Sequence, residues 1–211
     1  PVYGIYTLQD NYTGGDLHDL QNKFKNEIRE YPIFMYKIMK DLAQAVAFMH
    51  KYRICNRDIK PENVMIVSPI KNLKQVPKVR VIDFGLAAKV DIKGLCPRDG
   101  RTVGTRQFQS PEMIRREQYG VLTDVWSLGV TYYDIYRFML PFDPMFESDK
   151  QITDLYYGSM VDRDPDLHKL LQKMFRFQDT RINSTEVLKE LVKIYKSHTS
   201  KSPKIKRITW V

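Results

Sequence analysis

The stretch Asn56-Arg57-Asp58-Ile59-Lys60-Pro61-Glu62-Asn63 sets an acid, a base and an amide within six positions, and Asp83-Phe84-Gly85 follows twenty residues after Asn63. Between the two, short apolar runs at Asn63 to Val67 and Lys78 to Ile82 flank a Pro-containing segment and predict a small hairpin, closed by Asp83-Phe84-Gly85. Upstream, apolar residues recur at Phe34, Ile38, Leu42, Ala45, Val46 and Met49, the spacing of one helical face, which predicts a long amphipathic helix from Ile33 to Lys51. Downstream, a polar loop runs to Pro111. Thr123 to Met139 then reads as a helix with little polar face, hence buried as the core. Amphipathic helices follow at Leu167 to Phe177 and Thr185 to Tyr195, the second opened by Asn183-Ser184 with Glu186 close behind. At the front, Val2 to Leu8 has strand composition and leads through a turn at Gly14-Gly15 into a short helix from Asp16.

Phosphoryl transfer asks little covalent chemistry of a protein. It needs metal ions that neutralise phosphate charge, a carboxylate facing the nucleophilic hydroxyl, and positive charge near the transferred group. Asp58, Lys60, Asn63 and Asp83 are residues of these types.

Together with Gly104-Thr105, Ser110-Pro111-Glu112, Asp124-Val125-Trp126-Ser127-Leu128-Gly129 and Asp179-Thr180-Arg181-Ile182, these stretches resemble the protein kinase family, with its motifs in family order over about residues 2 to 195. The resemblance implies an α+β, mainly α-helical fold: the kinase C-terminal lobe, with a small β-hairpin around the catalytic loop and the N-terminal lobe largely absent. It divides the chain into the end of the small lobe and hinge over about 1–16, the large helical lobe over about 17–195, and a basic, flexible tail over 196–211.

The same resemblance implies roles residue by residue. Asp58 is the catalytic carboxylate that orients the substrate hydroxyl. Lys60 contacts the transferring phosphate, and Thr105 bridges the aspartate and the lysine; both point to Ser/Thr rather than Tyr substrates. Asn63 and Asp83 hold the Mg2+ ions that bridge the phosphates of ATP. Backbone groups of Asp10 and Tyr12 bond the adenine, Asp16 faces the ribose, Met65 floors the base, and Gln9 is the gatekeeper. Glu112 pairs with Arg181, and Asp124 accepts backbone donors from the catalytic loop. Thr102 is a phosphorylation site whose phosphate Arg57 receives. Glu62, Asp134 and Asp16 match positions that face basic residues in the substrates of basic-directed relatives.

The chain departs from the family pattern in two places. Asn56 stands where relatives have histidine or tyrosine, whose ring packs on the position of Phe84, and this change is expected to weaken that packing. The glycine-rich loop, the strand lysine and its helix glutamate, which normally lie before the position of Pro1, are missing, so the chain alone is expected to bind Mg-ATP poorly. That gap supplies a rival reading, a stand-alone lobe acting as a decoy or regulator that docks on a partner kinase. Asn56 supplies another, a pseudokinase. The joint presence of Asp58, Lys60, Asn63, Asp83 and Thr105 favours an enzyme over both.

Composition narrows the class further. With 211 residues and 43% hydrophobic content, the chain suits one domain with a full core. It has no apolar run long enough for a membrane span and no secretory segment. It begins at Pro1 within a strand-like run, which suggests a fragment or a processed chain. Two cysteines, Cys55 and Cys96, suggest neither a disulfide framework nor a metal knuckle, which favours a reducing intracellular setting, cytoplasmic or nuclear. The net charge of +9 is spread along the chain, so specific nucleic-acid binding is not expected.

Overall fold

The computed structural model describes residues 9–25, 27–28, 31–75, 77–98, 103–142 and 164–201. Among these the chain is mainly helical, with two short two-stranded ribbons. In chain order the elements are α1 (Leu17–Lys23), α2 (Pro32–Lys51), β1 (Ile54–Cys55), β2 (Val64–Ile66), β3 (Val79–Val81), β4 (Ala88–Lys89), α3 (Pro111–Ile114), α4 (Leu122–Arg137), α5 (Pro165–Met174) and α6 (Ser184–Lys201). Single 3-10 turns lie at Pro61–Asn63 and Arg106–Phe108.

The core forms where α2, α4, α5 and α6 meet. On α2 the predicted face, Phe34, Ile38, Leu42, Val46 and Met49, is buried, with Ala45 at its half-exposed margin. Each large aliphatic side chain withdrawn from water this way contributes about 1.5–3 kcal/mol. Helix α4 is buried on nearly every side, from Thr123 through Tyr133. Its Gly129 is required by packing, because a Cβ there would lie 2.9 Å from the Phe175 ring. Trp126, one turn earlier, stacks on Phe142 and meets Phe175 edge-on, with centroids 4.9 and 5.1 Å away. The helix stops at Arg137, short of Met139, because Phe138 takes a left-handed conformation with φ 60°.

The predicted hairpin is present. β2 and β3 pair antiparallel with Val64 opposite Val81, Met65 opposite Arg80 and Ile66 opposite Val79. On the other edge of β2 the Gly14 N–H donates to the Ile66 carbonyl at 3.1 Å, and the Ile66 N–H donates to the Gly15 carbonyl at 2.9 Å. A Cβ at Gly14 would lie 2.5 Å from the Ile66 oxygen, so only glycine allows this approach. β1 and β4 form the second ribbon, pairing Ile54 with Lys89 and Cys55 with Ala88. It brings Cys55 against Cys96 in a small separate cluster with Val90; both thiols are free, and burial pushes that of Cys55 up.

Helix α6 runs past Tyr195 to Lys201. Ile194 is buried, Ser197 Oγ donates to its carbonyl at 2.8 Å, and the His198 ring lies 4.6 Å from that of Tyr36, so this turn has packing of its own. At its start Asn183 and Glu186 form the predicted cap, each side chain accepting the other's backbone N–H, at 3.0 and 3.1 Å. The expected strand at Val2 to Leu8, Thr102 and the tail beyond Lys201 lie outside the described residues. No helix of the described residues is long and apolar enough to cross a membrane.

Candidate active site

The stretch 56–63 lies between the two ribbons, entering from β1 and leaving through a 3-10 turn into β2. Its backbone is fastened to the core by Asp124, which is fully buried on the first turn of α4. Asp124 Oδ2 accepts the Asn56 N–H at 2.7 Å and Oδ1 accepts the Arg57 N–H at 2.8 Å. His50 at the end of α2 braces the same carboxylate, with Nε2 3.0 Å from Oδ2, while its Nδ1 lies 2.8 Å from Ser184 Oγ on α6. The loop is thereby tied to three core helices.

Asp58, 7% exposed, stands at the centre of the side chains the sequence singled out. Its Oδ1 accepts the Thr105 N–H and the Thr105 hydroxyl, each at 2.8 Å. Its Oδ2 accepts Asn63 Nδ2 at 3.0 Å and lies 3.2 Å from Lys60 Nζ. Lys60 Nζ also donates to Thr105 Oγ1 at 2.7 Å, which closes an aspartate–lysine–threonine triangle. Thr105 reaches Asp58 because Gly104 adopts φ 86° directly over the Arg57 carbonyl, where a Cβ would collide with that oxygen.

Asn63 and Asp83 lie on neighbouring strand ends, the Ile82 N–H donating to the Asn63 carbonyl at 2.9 Å. Asn63 spends its amide nitrogen on Asp58, on the carboxylate and on the backbone carbonyl at 2.9 Å, so Oδ1 is the end that remains for a ligand. Asp83 is exposed, with one carboxylate oxygen accepting the Gly85 N–H at 2.9 Å. A carboxylate oxygen and an amide oxygen are the hard donors that suit Mg2+, so the residues fit such an ion. Asp83 has φ 59° and Arg57 φ 70°, left-handed conformations that side chains other than glycine rarely adopt and that cluster at functional sites.

Of the residues assigned to the nucleotide, Asp16 and Met65 are brought together by an isolated β-bridge. Met65 is half-buried. Asp16 has a second task as the N-cap of α1, its side chain accepting the Asp19 N–H at 2.7 Å. Asp10 is exposed and Tyr12 half-buried on the irregular segment before the Gly14 turn, beside exposed Gln9.

Among the supporting residues, Arg181 grips Glu112 with two bonds of 2.6 and 3.0 Å and lies over Trp126 at 5.1 Å. Glu62 is exposed and faces Asp134, whose carboxyl is raised by burial, drawn back by Gln21 and raised again by the Glu62 charge. Arg57 is buried, donating to the Leu86 carbonyl at 2.6 Å and to the Tyr119 hydroxyl at 3.2 Å. Sequence reasoning missed Tyr119 and His50. Tyr119 meets Arg57 across 62 residues of chain and His50 meets Asp124 across 74, separations at which local pattern carries no signal.

The protein kinase domain family matches residues 3–206. The inhibitor of nuclear factor kappa-B kinase subunit beta of Rattus norvegicus is 34% identical over 151 residues, 71% of this chain and 19% of that protein. The serine/threonine-protein kinase Genghis Khan of Drosophila melanogaster is 34% identical over 143 residues, 65% of this chain and 8% of that protein. Myosin light chain kinase 3 of Mus musculus is 28% identical over 196 residues, 87% of this chain and 23% of that protein. The chain thus spans under a quarter of the length of these relatives.

Proposed function

The chain belongs to the protein kinase family, and on that premise we propose that it is the hinge and large lobe of a serine/threonine protein kinase, which transfers the γ-phosphate of ATP to Ser/Thr hydroxyls of proteins. The observation that carries this reading is the triangle of Asp58, Lys60 and Thr105, with Asn63 on the remaining carboxylate oxygen. A loop released from catalysis has no chemical reason to gather a buried acid, an ammonium and two donors at one point.

In this reading the Asp58 carboxylate orients the substrate hydroxyl and takes its proton as the new oxygen–phosphorus bond forms and the bond to ADP breaks. Lys60, paired with that carboxylate at 3.2 Å, offsets charge on the transferred group, while the Thr105 hydroxyl bonds both partners. Asn63 Oδ1 and the Asp83 carboxylate would hold Mg2+, which when bound neutralises phosphate charge. The adenosine is assigned to the edge formed by Asp10, Tyr12, Asp16 and Met65. A glycine-rich loop and strand lysine are assigned to a longer protein that includes this chain.

Substrates with a basic residue near the phosphorylated Ser or Thr suit the Glu62–Asp134 pair, whose mutual repulsion an arginine would relieve. The test is transfer of labelled phosphate to a serine peptide by the full-length protein. Asp58→Ala is expected to abolish transfer; equal transfer by that variant refutes the proposal. Co-purification with an intact kinase in the absence of ATP binding would favour the decoy reading instead.

A further inference from the structure

Asn56 is fully buried and uses both ends of its amide. Oδ1 accepts the Asp58 N–H at 3.0 Å, and Nδ2 donates to the Asp83 carbonyl at 3.3 Å. Its own N–H is held by Asp124 at 2.7 Å, so the side chain projects from an anchored backbone. One short side chain therefore joins the backbones of the two acids on which the proposed transfer depends.

Both bonds fall where the backbone is strained. Arg57, between Asn56 and Asp58, has φ 70°, and Asp83 has φ 59°. Such conformations cost about 1–2 kcal/mol each and persist only where surrounding interactions hold them. The two amide bonds supply such holding directly. Beside the expected loss of ring packing, the amide thus has a specific polar role.

We infer that Asn56 is a positioning residue whose amide sets the catalytic carboxylate of Asp58 and the metal-binding carboxylate of Asp83 relative to each other. An aliphatic side chain makes neither bond, and an ionised acid makes only the one to the Asp58 N–H. The roles of the two acids rest on the proposed function; the bridge between their backbones does not.

The test compares the full-length protein with Asn56→Leu, which removes both bonds at similar volume, and Asn56→Asp at pH 8, which keeps the acceptor and loses the donor. Hydrogen exchange resolved at the Asp58 amide is expected to quicken about tenfold in Asn56→Leu and to stay near wild type in Asn56→Asp. In transfer assays both variants are expected to lose about tenfold in kcat and to need several-fold more Mg2+ for half-maximal rate, with the peptide KM within about twofold. Unchanged Asp58 exchange in Asn56→Leu, or an unchanged Mg2+ requirement in Asn56→Asp, overturns the inference. If Asn56→Leu does not fold, Asn56→Asp decides by its Mg2+ requirement. If the wild-type protein transfers no phosphate, the proposed function falls, while the exchange comparison alone still upholds or overturns the bridge.

Discussion

Thr105 gives both its backbone N–H and its hydroxyl to the same carboxylate oxygen of Asp58, each at 2.8 Å. The hydroxyl oxygen in turn accepts from Lys60 Nζ at 2.7 Å, so one side chain sets acid and base at a fixed spacing. Three bonds thus fix the rotamer of the Asp58 carboxylate, and under the proposed function that is the preorganisation phosphoryl transfer rewards.

Thr105→Val keeps the shape and the backbone donor but removes the hydroxyl. A charge-assisted hydrogen bond of about 1.5 kcal/mol corresponds to roughly tenfold in rate, so kcat in a peptide assay should fall by about that factor. Thr105→Ser should stay near wild type. Because Thr105 is only half-buried, urea midpoints should hardly move for either variant. A valine variant with full activity would show that the triangle is incidental.

The clasp at Asp124 predicts a different signature. Two backbone N–H groups and His50 converge on one carboxylate that is fully buried, and an amide in its place turns a second donor toward one of the two N–H groups. Asp124→Asn should therefore lose about 2 kcal/mol or more of stability, read as a lower urea midpoint, and slow transfer as the loop loosens. An unchanged midpoint would mean the loop is held by something else.

The sequence made the candidate side chains legible because they are carried within one short stretch and are of the types that phosphoryl transfer would use. Asp58, Lys60 and Asn63 duly meet around a single carboxylate. The long helices were legible for a similar reason, since α2 buries the face its spacing marks and α4, with little polar face, is buried on nearly every side. What was not legible depends on pairings that only the fold makes. Cys55 meets Cys96 through the β1–β4 ribbon, and Tyr119 reaches Arg57 from beyond α3. Asn56 is a subtler case: its departure from the family pattern was visible, but its consequence was not, because a bridge to the Asp83 carbonyl is a matter of distance rather than of residue type.

Glu112 and Arg181 form a buried bidentate pair, and Arg181 also donates to the carbonyls of Leu122 and Arg176. Removing one partner leaves a charge without compensation, so Glu112→Gln or Arg181→Met should each cost about 3–5 kcal/mol. The double variant should cost less than the sum, because the second change removes the stranded charge. Additive losses in denaturant unfolding would contradict a coupled pair.

Asp164 lends itself to a test by pH. Burial raises its carboxyl, and the Leu167 N–H and the His198 charge only partly draw it back, so the folded chain binds this proton more tightly than the unfolded chain does. For such a group stability is highest while both states are protonated, and it falls as pH rises from the ordinary carboxyl value through the raised one. Asp164 nonetheless caps α5, accepting the Leu167 N–H at 3.0 Å, and accepts the buried Tyr36 hydroxyl. Asparagine can keep both, accepting from Leu167 and donating to Tyr36, without carrying charge. Asp164→Asn should therefore gain on wild type as pH is raised from about 4 to 7, with the difference read from urea midpoints at the two ends. A variant that loses ground at pH 7 relative to pH 4 would show that the ionised carboxylate is the stabilising form, and that the bonds to Leu167 and Tyr36 outweigh the penalty of burying it.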